Sequence, residues 1–346
     1  MIVSGFHGPG GGDEGRRILG LTAPAIGLER NEHAYATAKA AGHTVILCDI
    51  SQYPTVPFKG RTTGGIWTPP CQAWSQSGKR LGLVDQPLVH QAVQDLAHGR
   101  DTRDRLKAAC KDPRSILAAE PMRWMYDLRP EWAVFEEVPA VLPLWRQYAQ
   151  ILRSWGYSVW TGVLNAADYG LGQARRRAVL IVSRVRSVTA PEPTHCEHPG
   201  DGLFGLRLKP WRTMADTLGW GYTQRPAPTV TGGGTETGGA EPWSSTSRAA
   251  MRAAMDDPGH WAWRKPAPTV TGTVGHVGGK QAGGHLNLSL AEAARLQSFP
   301  DGHPFQGNKG QQALQVGDAF PPLLAAHVLS AATGVPMPAE HLAVAA

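Results

Sequence analysis

Cysteine is scarce and dispersed in this chain: Cys48, Cys71, Cys110 and Cys196 form no CxxC pair. That excludes a disulfide framework and a standard zinc knuckle and fits a reducing compartment, so a cytoplasmic protein is expected. His195-Cys196-Glu197-His198 crowds metal-ligand types together, but adjacent ligands without a second spaced pair do not close a tetrahedral site, and no metal is expected. Long apolar runs are missing too. Nothing approaches the roughly 18 apolar residues that cross a bilayer, and no charged segment followed by an apolar one opens the sequence, so neither a membrane span nor a processed leader is expected. Periodic repeats are absent apart from one near-duplicate, residues 225–232 (RPAPTVTG) and 265–272 (KPAPTVTG). Two copies are too few for a stacked solenoid and read as two similar turns or strands. The 34 Lys and Arg outnumber the 28 Asp and Glu, and the net charge of +6 favours a polyanionic partner. With 346 residues, one large domain and a smaller one are expected.

What is present begins as βαβαβ. A short extended start leads into the Gly-rich turn of residues 8–12, a helix, and a strand-like run ending at Glu29; a helix from Glu32 to Ala41 and an apolar strand from Thr44 to Cys48, ending at Asp49, follow. Parallel sheets of this kind bind ligands at the carboxyl ends of their strands, where the turn, Glu29 and Asp49 all fall. A strand at Gly65–Thr68 then enters Pro69-Pro70-Cys71-Gln72, whose prolines forbid helix and hold the cysteine in an extended turn. Helices are expected from Gln86 to His98, Pro113 to Leu128 and Val141 to Trp155. A strand from Trp132 ends at Glu136, and a hairpin-like pair covers 158–164 and 177–183. From 185 to 285 the chain turns rich in Gly, Pro, Thr and Trp, marking a second, loop-rich lobe. A capping-box helix start (Ser289 with Glu292) and a helix after Pro321-Pro322 restore α/β texture from 286 to 346. The expected fold is a doubly wound, Rossmann-like α/β sheet built from 1–184 and 286–346 with the small lobe inserted.

Several residues in this frame could carry chemistry. The glycines allow close backbone approach to a nucleotide, and Glu29 lies about 20 residues beyond Gly8, where an acid suits a ribose diol. The turn has no Walker lysine and alone would be an ordinary turn. Cys71 reads as a small core residue or as a nucleophile needing a lowered pKa or a neighbouring base. Its polar surroundings (Ser75, Gln76, Ser77, Gly78, Lys79) favour the nucleophile. Cys48, in an apolar strand, and Cys110, on a polar helix, are given no role. Glu136 reads as a turn cap, or as a carboxylate sharing a pocket with Cys71. Arg175 and Arg177 alternate on one strand face, suited to phosphate or to bracing a catalytic group, or else form a solvated basic patch. The tryptophans at 211, 220, 243, 261 and 263 fill the small lobe's core or stack on bases.

Taken in order, these segments resemble the DNA cytosine-5 methyltransferase family of bacterial or phage type, from residue 5 to about 330, with only about 185–260 unaligned. Phe6-His7-Gly8-Pro9-Gly10-Gly11 resembles the family's S-adenosylmethionine loop, Glu29 (beside Arg30) its ribose acid, and Asp49 (beside Ile50) its adenine-binding acid. Pro70-Cys71-Gln72 with Ser75 and Gly78-Lys79-Arg80-Leu81-Gly82 resembles the nucleophile motif and its flexible loop. Glu136-Glu137-Val138-Pro139 resembles the Glu-Asn-Val-Pro motif, and Gln173-Ala174-Arg175-Arg176-Arg177 matches Gln-x-Arg-x-Arg. The stretches from Glu292 to Pro300 and from Gly317 to Pro322 resemble the last two blocks.

The resemblance implies covalent attack by Cys71 on carbon 6 of a flipped cytosine, assisted by Glu136, with Arg175 and Arg177 holding Glu136 and the nucleotide. It places Phe6, Gly8, Gly10, Gly11, Glu29, Arg30, Asp49, Ile50, Pro70 and Asp318 at the donor, and Gln72, Ser75, Lys79 and Gln173 at the DNA or the cleft floor. It implies double-stranded DNA as partner, a monomer, and a possible cognate restriction nuclease. The chain departs from the pattern at Ser4, Gly5 and His7, at Glu137 (asparagine in the family), which adds a potential negative charge, and at Asp318 (also asparagine). Asp318 is expected to hydrogen-bond in asparagine's place or to alter donor preference. Rival readings are a tRNA cytosine-5 methyltransferase, a catalytically silent DNA-binding relative, and, from the βαβαβ start alone, a nicotinamide dehydrogenase.

Overall fold

The computed structural model of the chain describes residues 1–75, 80–199, 208–219, 264–267, 269–270, 276–277 and 286–342. Its first half runs β1 (Ile2–Gly5), α1 (Gly11–Leu19), β2 (Ala25–Glu29), α2 (Glu32–Ala40), β3 (Val45–Leu47), β4 (Gly64–Trp67), α3 (Leu81–Ala97), α4 (Arg103–Ala109), α5 (Glu120–Leu128), β5 (Trp132–Glu137), α6 (Leu142–Ser154), β6 (Ser158–Asn165) and β7 (Arg176–Ser183). Short pieces follow: β8 (His195–Cys196), β9 (Lys209–Pro210), α7 (Met214–Leu218), β10 (His276–Val277) and β11 (Leu286–Asn287). The chain closes with α8 (Leu290–Leu296), α9 (Lys309–Asp318) and α10 (Pro322–Thr333).

β1 to β7 form one sheet in the order β3-β2-β1-β4-β5-β7-β6. All pairs are parallel except β5 with β7 and β7 with β6. The order reverses between β1 and β4, so the loops leaving these two strands diverge and open a crevice at their carboxyl ends. The expected α/β sheet is therefore what the chain builds.

Alternation along the central strands explains why both faces are covered. Val3, Trp67 and Phe135 point into one core with Val93 of α3, Met122 of α5 and Trp145 of α6. Their neighbours Ile2, Ile66 and Val134 point to the other, where Leu324, Val328 and Leu329 of α10 meet them. The second core thus needs residues more than 300 positions from β1, and α10 packs on α1, β5 and β7 to supply them.

Two helices differ from the sequence expectation. α3 starts at Leu81, ahead of Pro87, which sits inside it at the cost of one backbone bond. The extra turns are held by tertiary contact: Gly82 N–H donates to the Ala73 carbonyl, and Gly82 lies so close to Trp74 that a Cβ would stand 2.7 Å from its ring. The segment before Leu128 breaks into a 3-10 turn, Ser115–Ala119, and α5, which begins with Pro121 in its first turn.

α1 and α10 touch through Gly15, where a Cβ would lie 2.6 Å from Ala325 Cβ and 2.8 Å from the Pro322 carbonyl oxygen. Gly15→Val is expected to destabilise the protein by about 1–3 kcal/mol through overpacking, read as a lower urea midpoint. An unchanged midpoint would contradict this helix contact.

Candidate active site

The loops leaving β1, β2, β3, β4 and β5 enclose one cavity of about 780 Å³, lined among others by Phe6, Gly8, Glu29, Asp49, Cys71 and Glu136. That volume lies within the range of small-molecule sites, about 300–1,000 Å³. After β1 the backbone turns through positive φ at Phe6 (58°), Gly8 (58°) and Gly10 (98°). At Gly11, the first residue of α1, a Cβ would come within 2.1 Å of the Phe320 carbonyl oxygen. Only glycine permits that approach, so the turn and the segment before α10 form one wall.

Glu29 closes the turn from the neighbouring strand. Its Oε2 accepts the Gly8 N–H (2.7 Å), and its Oε1 accepts the N–H groups of Arg30 (2.8 Å) and Asn31 (2.6 Å). A carboxylate has about four acceptor positions, so capacity remains for a hydroxyl in the cavity. Burial raises the Glu29 pKa, and the three backbone bonds oppose that rise. Asp49 accepts from Ser51 N–H (3.0 Å) and Oγ (2.7 Å) and lies 3.5 Å from the exposed Arg30. Ile50, expected at the cofactor, is buried in the core while still lining the cavity.

Cys71 leaves β4 through Pro69-Pro70, and its carbonyl accepts from the N–H groups of Trp74 and Ser75, both at 2.8 Å. Thr68 Oγ1 donates to the Phe6 carbonyl (2.9 Å), tying the cysteine loop to the Gly-rich turn. Gln72 Nε2 donates to Asp318 Oδ2 at 2.9 Å. Asp318 is therefore a hydrogen-bond acceptor at the family's asparagine position. Of the two conditions set for a nucleophile, a lowered pKa or a neighbouring base, the first is not met in the free protein: burial, then Glu137 and Asp318, push the thiol up to about 12, with Arg177 opposing. Among the described residues, Lys79 is absent, as are Gln76, Ser77 and Gly78.

Glu136 lies at the end of β5, 5% exposed. Arg177 Nε meets its Oε1 at 2.8 Å across the β5–β7 pair. Burial raises the Glu136 pKa, and Arg177 and Arg175 oppose the rise. Glu137, 2% exposed, accepts the Val138 N–H on Oε2, while its Oε1 has no hydrogen-bond partner among the described residues. Burial pushes the Glu137 pKa well up, the Val138 N–H and Arg177 oppose the rise, and Glu136 and Asp318 add to it.

Arg175 does not share Arg177's place. It is 1% exposed and donates to the carbonyls of Val270 (3.1 Å), Gly317 (2.8 Å) and Ala319 (3.0 Å). β7 begins only at Arg176, so strand alternation does not extend back to Arg175. Gln173, fully buried, donates to the Leu296 carbonyl and Gln297 Oε1 and accepts the Val270 N–H. It forms floor rather than surface. The second copy of the octapeptide docks here, with Ala267 N–H on the Gly172 carbonyl (2.6 Å) and Ala174 N–H on the Ala267 carbonyl (2.7 Å). The first copy, 225–232, lies outside the described residues, as do the tryptophans at 220, 243, 261 and 263. Trp211 donates Nε1–H to Asp168 (2.9 Å). Thr68, Arg114 and Leu117 also line the cavity. Only Thr68 carried a sequence signal, its position just before Pro-Pro-Cys.

Two outcomes follow from these charges. Iodoacetamide modification of Cys71, read by peptide mapping, is expected to climb from about pH 7 to about pH 10 without levelling, since reactivity follows the thiolate; a plateau near about pH 8 would mean an activated cysteine. Arg177→Ala leaves Glu136 buried without its partner and is expected to cost ~3–5 kcal/mol in chemical denaturation.

The family of C-5 cytosine-specific DNA methylases matches residues 104–201 and 211–333, a span that takes in Glu136, Arg175, Arg177 and Asp318 and begins beyond Cys71. The Type II methyltransferase M.BsuRI of Bacillus subtilis is 27% identical over 95% of this chain and 78% of its own length. M1.HphI of Haemophilus parahaemolyticus, also a Type II methyltransferase, is 30% identical over 77% and 67%. Among solved structures, the Entamoeba histolytica methyltransferase EhMeth shares the fold with a TM-score of 0.59 at 14% identity, covering 96% of this chain and 97% of its own. A putative DNA modification methyltransferase encoded within a prophage of E. coli does so at 0.57 and 17%, covering 96% and 98%. The family match covers well over half of the chain and includes Glu136, Arg177 and Asp318 of the cleft, and this chain belongs to the C-5 cytosine-specific DNA methylases.

Proposed function

We propose that this protein methylates carbon 5 of cytosine in double-stranded DNA, with S-adenosylmethionine as donor and Cys71 as covalent nucleophile on a flipped-out base. The observation that carries the reading is that Cys71 and the Arg177-braced Glu136 line the same cavity as the Gly-rich turn, Glu29 and Asp49. The cavity suits a nucleoside-bearing donor: it has glycine-only backbone approach, a strand-end acid with spare acceptor capacity, and no lysine among the described lining residues. Glu29 and the adjacent Arg30 would hold the ribose side, Asp49 and Ile50 the adenine. Phe6, Gly8, Gly10 and Gly11 would pack along the donor, with Pro70 and Asp318 at its methionine end. When bound, the donor supplies an electrophilic methyl group.

Carbon 5 of cytosine is a weak nucleophile. Cys71 Sγ would add to carbon 6, breaking the 5,6 double bond and making carbon 5 enamine-like. Glu136, whose raised pKa suits a proton donor, would give a proton or hydrogen bond to ring nitrogen 3. The thiol proton replaces the one Glu136 passes to nitrogen 3, so the buried site need not hold a net new charge. Once carbon 5 carries the methyl group, a base takes its proton, the electrons of that bond re-form the 5,6 double bond, and Cys71 leaves as thiolate to recover the nitrogen 3 proton. The base must leave the stack first, at a cost of a few kcal/mol, and Gln72, Ser75 and Lys79, on the cysteine loop, would close over it. Arg177 positions Glu136, while Arg175 and Gln173 hold the cleft floor. Residues 185–285 serve as a target-recognition lobe between the two parts of the large domain, 1–184 and 286–346. The net charge of +6 supports salt-sensitive binding to phosphates. We further take the protein to act as a cytoplasmic monomer, with a restriction nuclease as possible counterpart.

Incubation with labelled S-adenosylmethionine and mixed-sequence duplex DNA containing 5-fluorocytosine is expected to give a denaturation-resistant labelled adduct, absent in Cys71→Ser. Glu136→Gln is expected to slow methylation of normal DNA by ~10²–10⁴-fold. An adduct on fluorocytosine-substituted tRNA alone would make this an RNA enzyme. No adduct on either, with no donor binding, would leave a DNA-binding relative without activity.

A further inference from the structure

Between the Gly-rich turn and α1 lies a buried cluster that the methyl-transfer reading does not use. His7, Asp13 and His43 are 5%, 4% and 8% exposed, and each offers a ligand atom within 4.8 Å of the others. His7 Nε2 and His43 Nδ1 face one another at 3.2 Å. The outer nitrogens are taken: His7 Nδ1 by Ser4 Oγ at 3.0 Å and His43 Nε2 by the Glu14 carboxylate at 2.8 Å. A carboxylate only accepts, so His43 Nε2 carries the hydrogen toward Glu14, and His43 Nδ1 accepts the hydrogen bond from His7 Nε2. Asp13 Oδ1 is buried with no hydrogen-bond partner among the described residues, though Arg16 Nη1 lies 3.2 Å away as an ion pair.

We propose that His7, His43 and Asp13 bind a zinc-like divalent transition-metal ion beneath the cofactor turn. Two imidazole nitrogens on a tetrahedral ion at 2.0–2.1 Å stand about 3.3 Å apart, close to the separation present. When an ion replaces the proton between the inner nitrogens and the His7 hydrogen moves to Nδ1, the outer N–H groups are held by a carboxylate and a hydroxyl, the arrangement that orients histidine ligands and fixes their tautomers. Three protein ligands leave a fourth position open, and the remaining lone pair of Asp13 Oδ1 lets Arg16 stay as its neighbour. The mixed N/O set selects zinc, cobalt or nickel over magnesium. The ion would cross-link the turn to the loop after α2, since His7 belongs to the turn and a Cβ at Gly10 would stand 2.1 Å from the His43 ring. Given this burial, it would load during folding or local opening of the turn.

The test uses the full chain, stripped with EDTA and titrated with CoCl2. The expected result is visible d–d absorption of a tetrahedral ion, saturating near one equivalent, without the near-ultraviolet band of sulfur-to-cobalt charge transfer. Cys71→Ser retains it, while Asp13→Asn and His43→Gln each weaken binding by at least about tenfold. ZnCl2, but not MgCl2, raises the melting temperature of the wild-type chain, which keeps the test valid should a variant fail to fold. No d–d bands in the wild type with cobalt up to about 1 mM, far above any specific site's Kd, would overturn the proposal. So would a charge-transfer band that disappears with a cysteine, because the ion would then sit elsewhere.

Discussion

The burial of charge at the end of β5 is the constraint on which the rest of the cleft depends. Moving a carboxylate or guanidinium out of water costs several kcal/mol per ion, and only a well-placed partner offsets it. Glu136 has that partner in Arg177, which reaches it because β7 runs antiparallel beside β5. Arg175 makes no ion pair among the described residues and gives its Nη1 and Nη2 hydrogens to backbone carbonyls. Two of these carbonyls, on Gly317 and Ala319, bracket Asp318. Asp318 in turn accepts from Gln72, the residue after Cys71. A chain of bonds therefore runs from a buried arginine to the cysteine loop.

The same burial raises the pKa of the Cys71 thiol in the free protein. A thiol titrating near 12 is nearly all protonated at neutral pH. Glu136 and Glu137 are pushed the same way, toward the neutral acid. Arg177 opposes the rise at both carboxyls and at the thiol. Electrostatic help of this kind counts for most when a substrate displaces water and a new charge would otherwise form.

The donor side is built by a different device, backbone proximity. Gly11 against Phe320 and Gly15 against Ala325 and Pro322 bring the first helix onto the last, so the cavity's wall and the second core close together. Thr68 on the Phe6 carbonyl couples this wall to the cysteine loop. Residues from opposite ends of the chain consequently set one another's positions.

Much of this was legible beforehand because it is local. Alternating apolar residues with turn glycines and strand-end acids dictated the α/β sheet, and placed the Gly-rich turn, Glu29, Asp49, Cys71 and Glu136 at the carboxyl edge. The start of α3 was not legible, because Pro87 argued for a later one and the packing of Gly82 on Trp74 overrode it. Nor were the separate fates of Arg175 and Arg177, two residues apart, since which one meets a carboxylate depends on where β7 begins and on carbonyls 95 to 144 residues away. The raised pKa values of Glu137 and Cys71 and the pairing of His7 with His43 were equally hidden. By itself, the sequence determined that the Gly-rich turn, Glu29, Asp49, Cys71 and Glu136 stand at strand ends of one sheet. Only the tertiary structure decided their partners and protonation, because both are set by burial and by contacts between segments far apart in the chain.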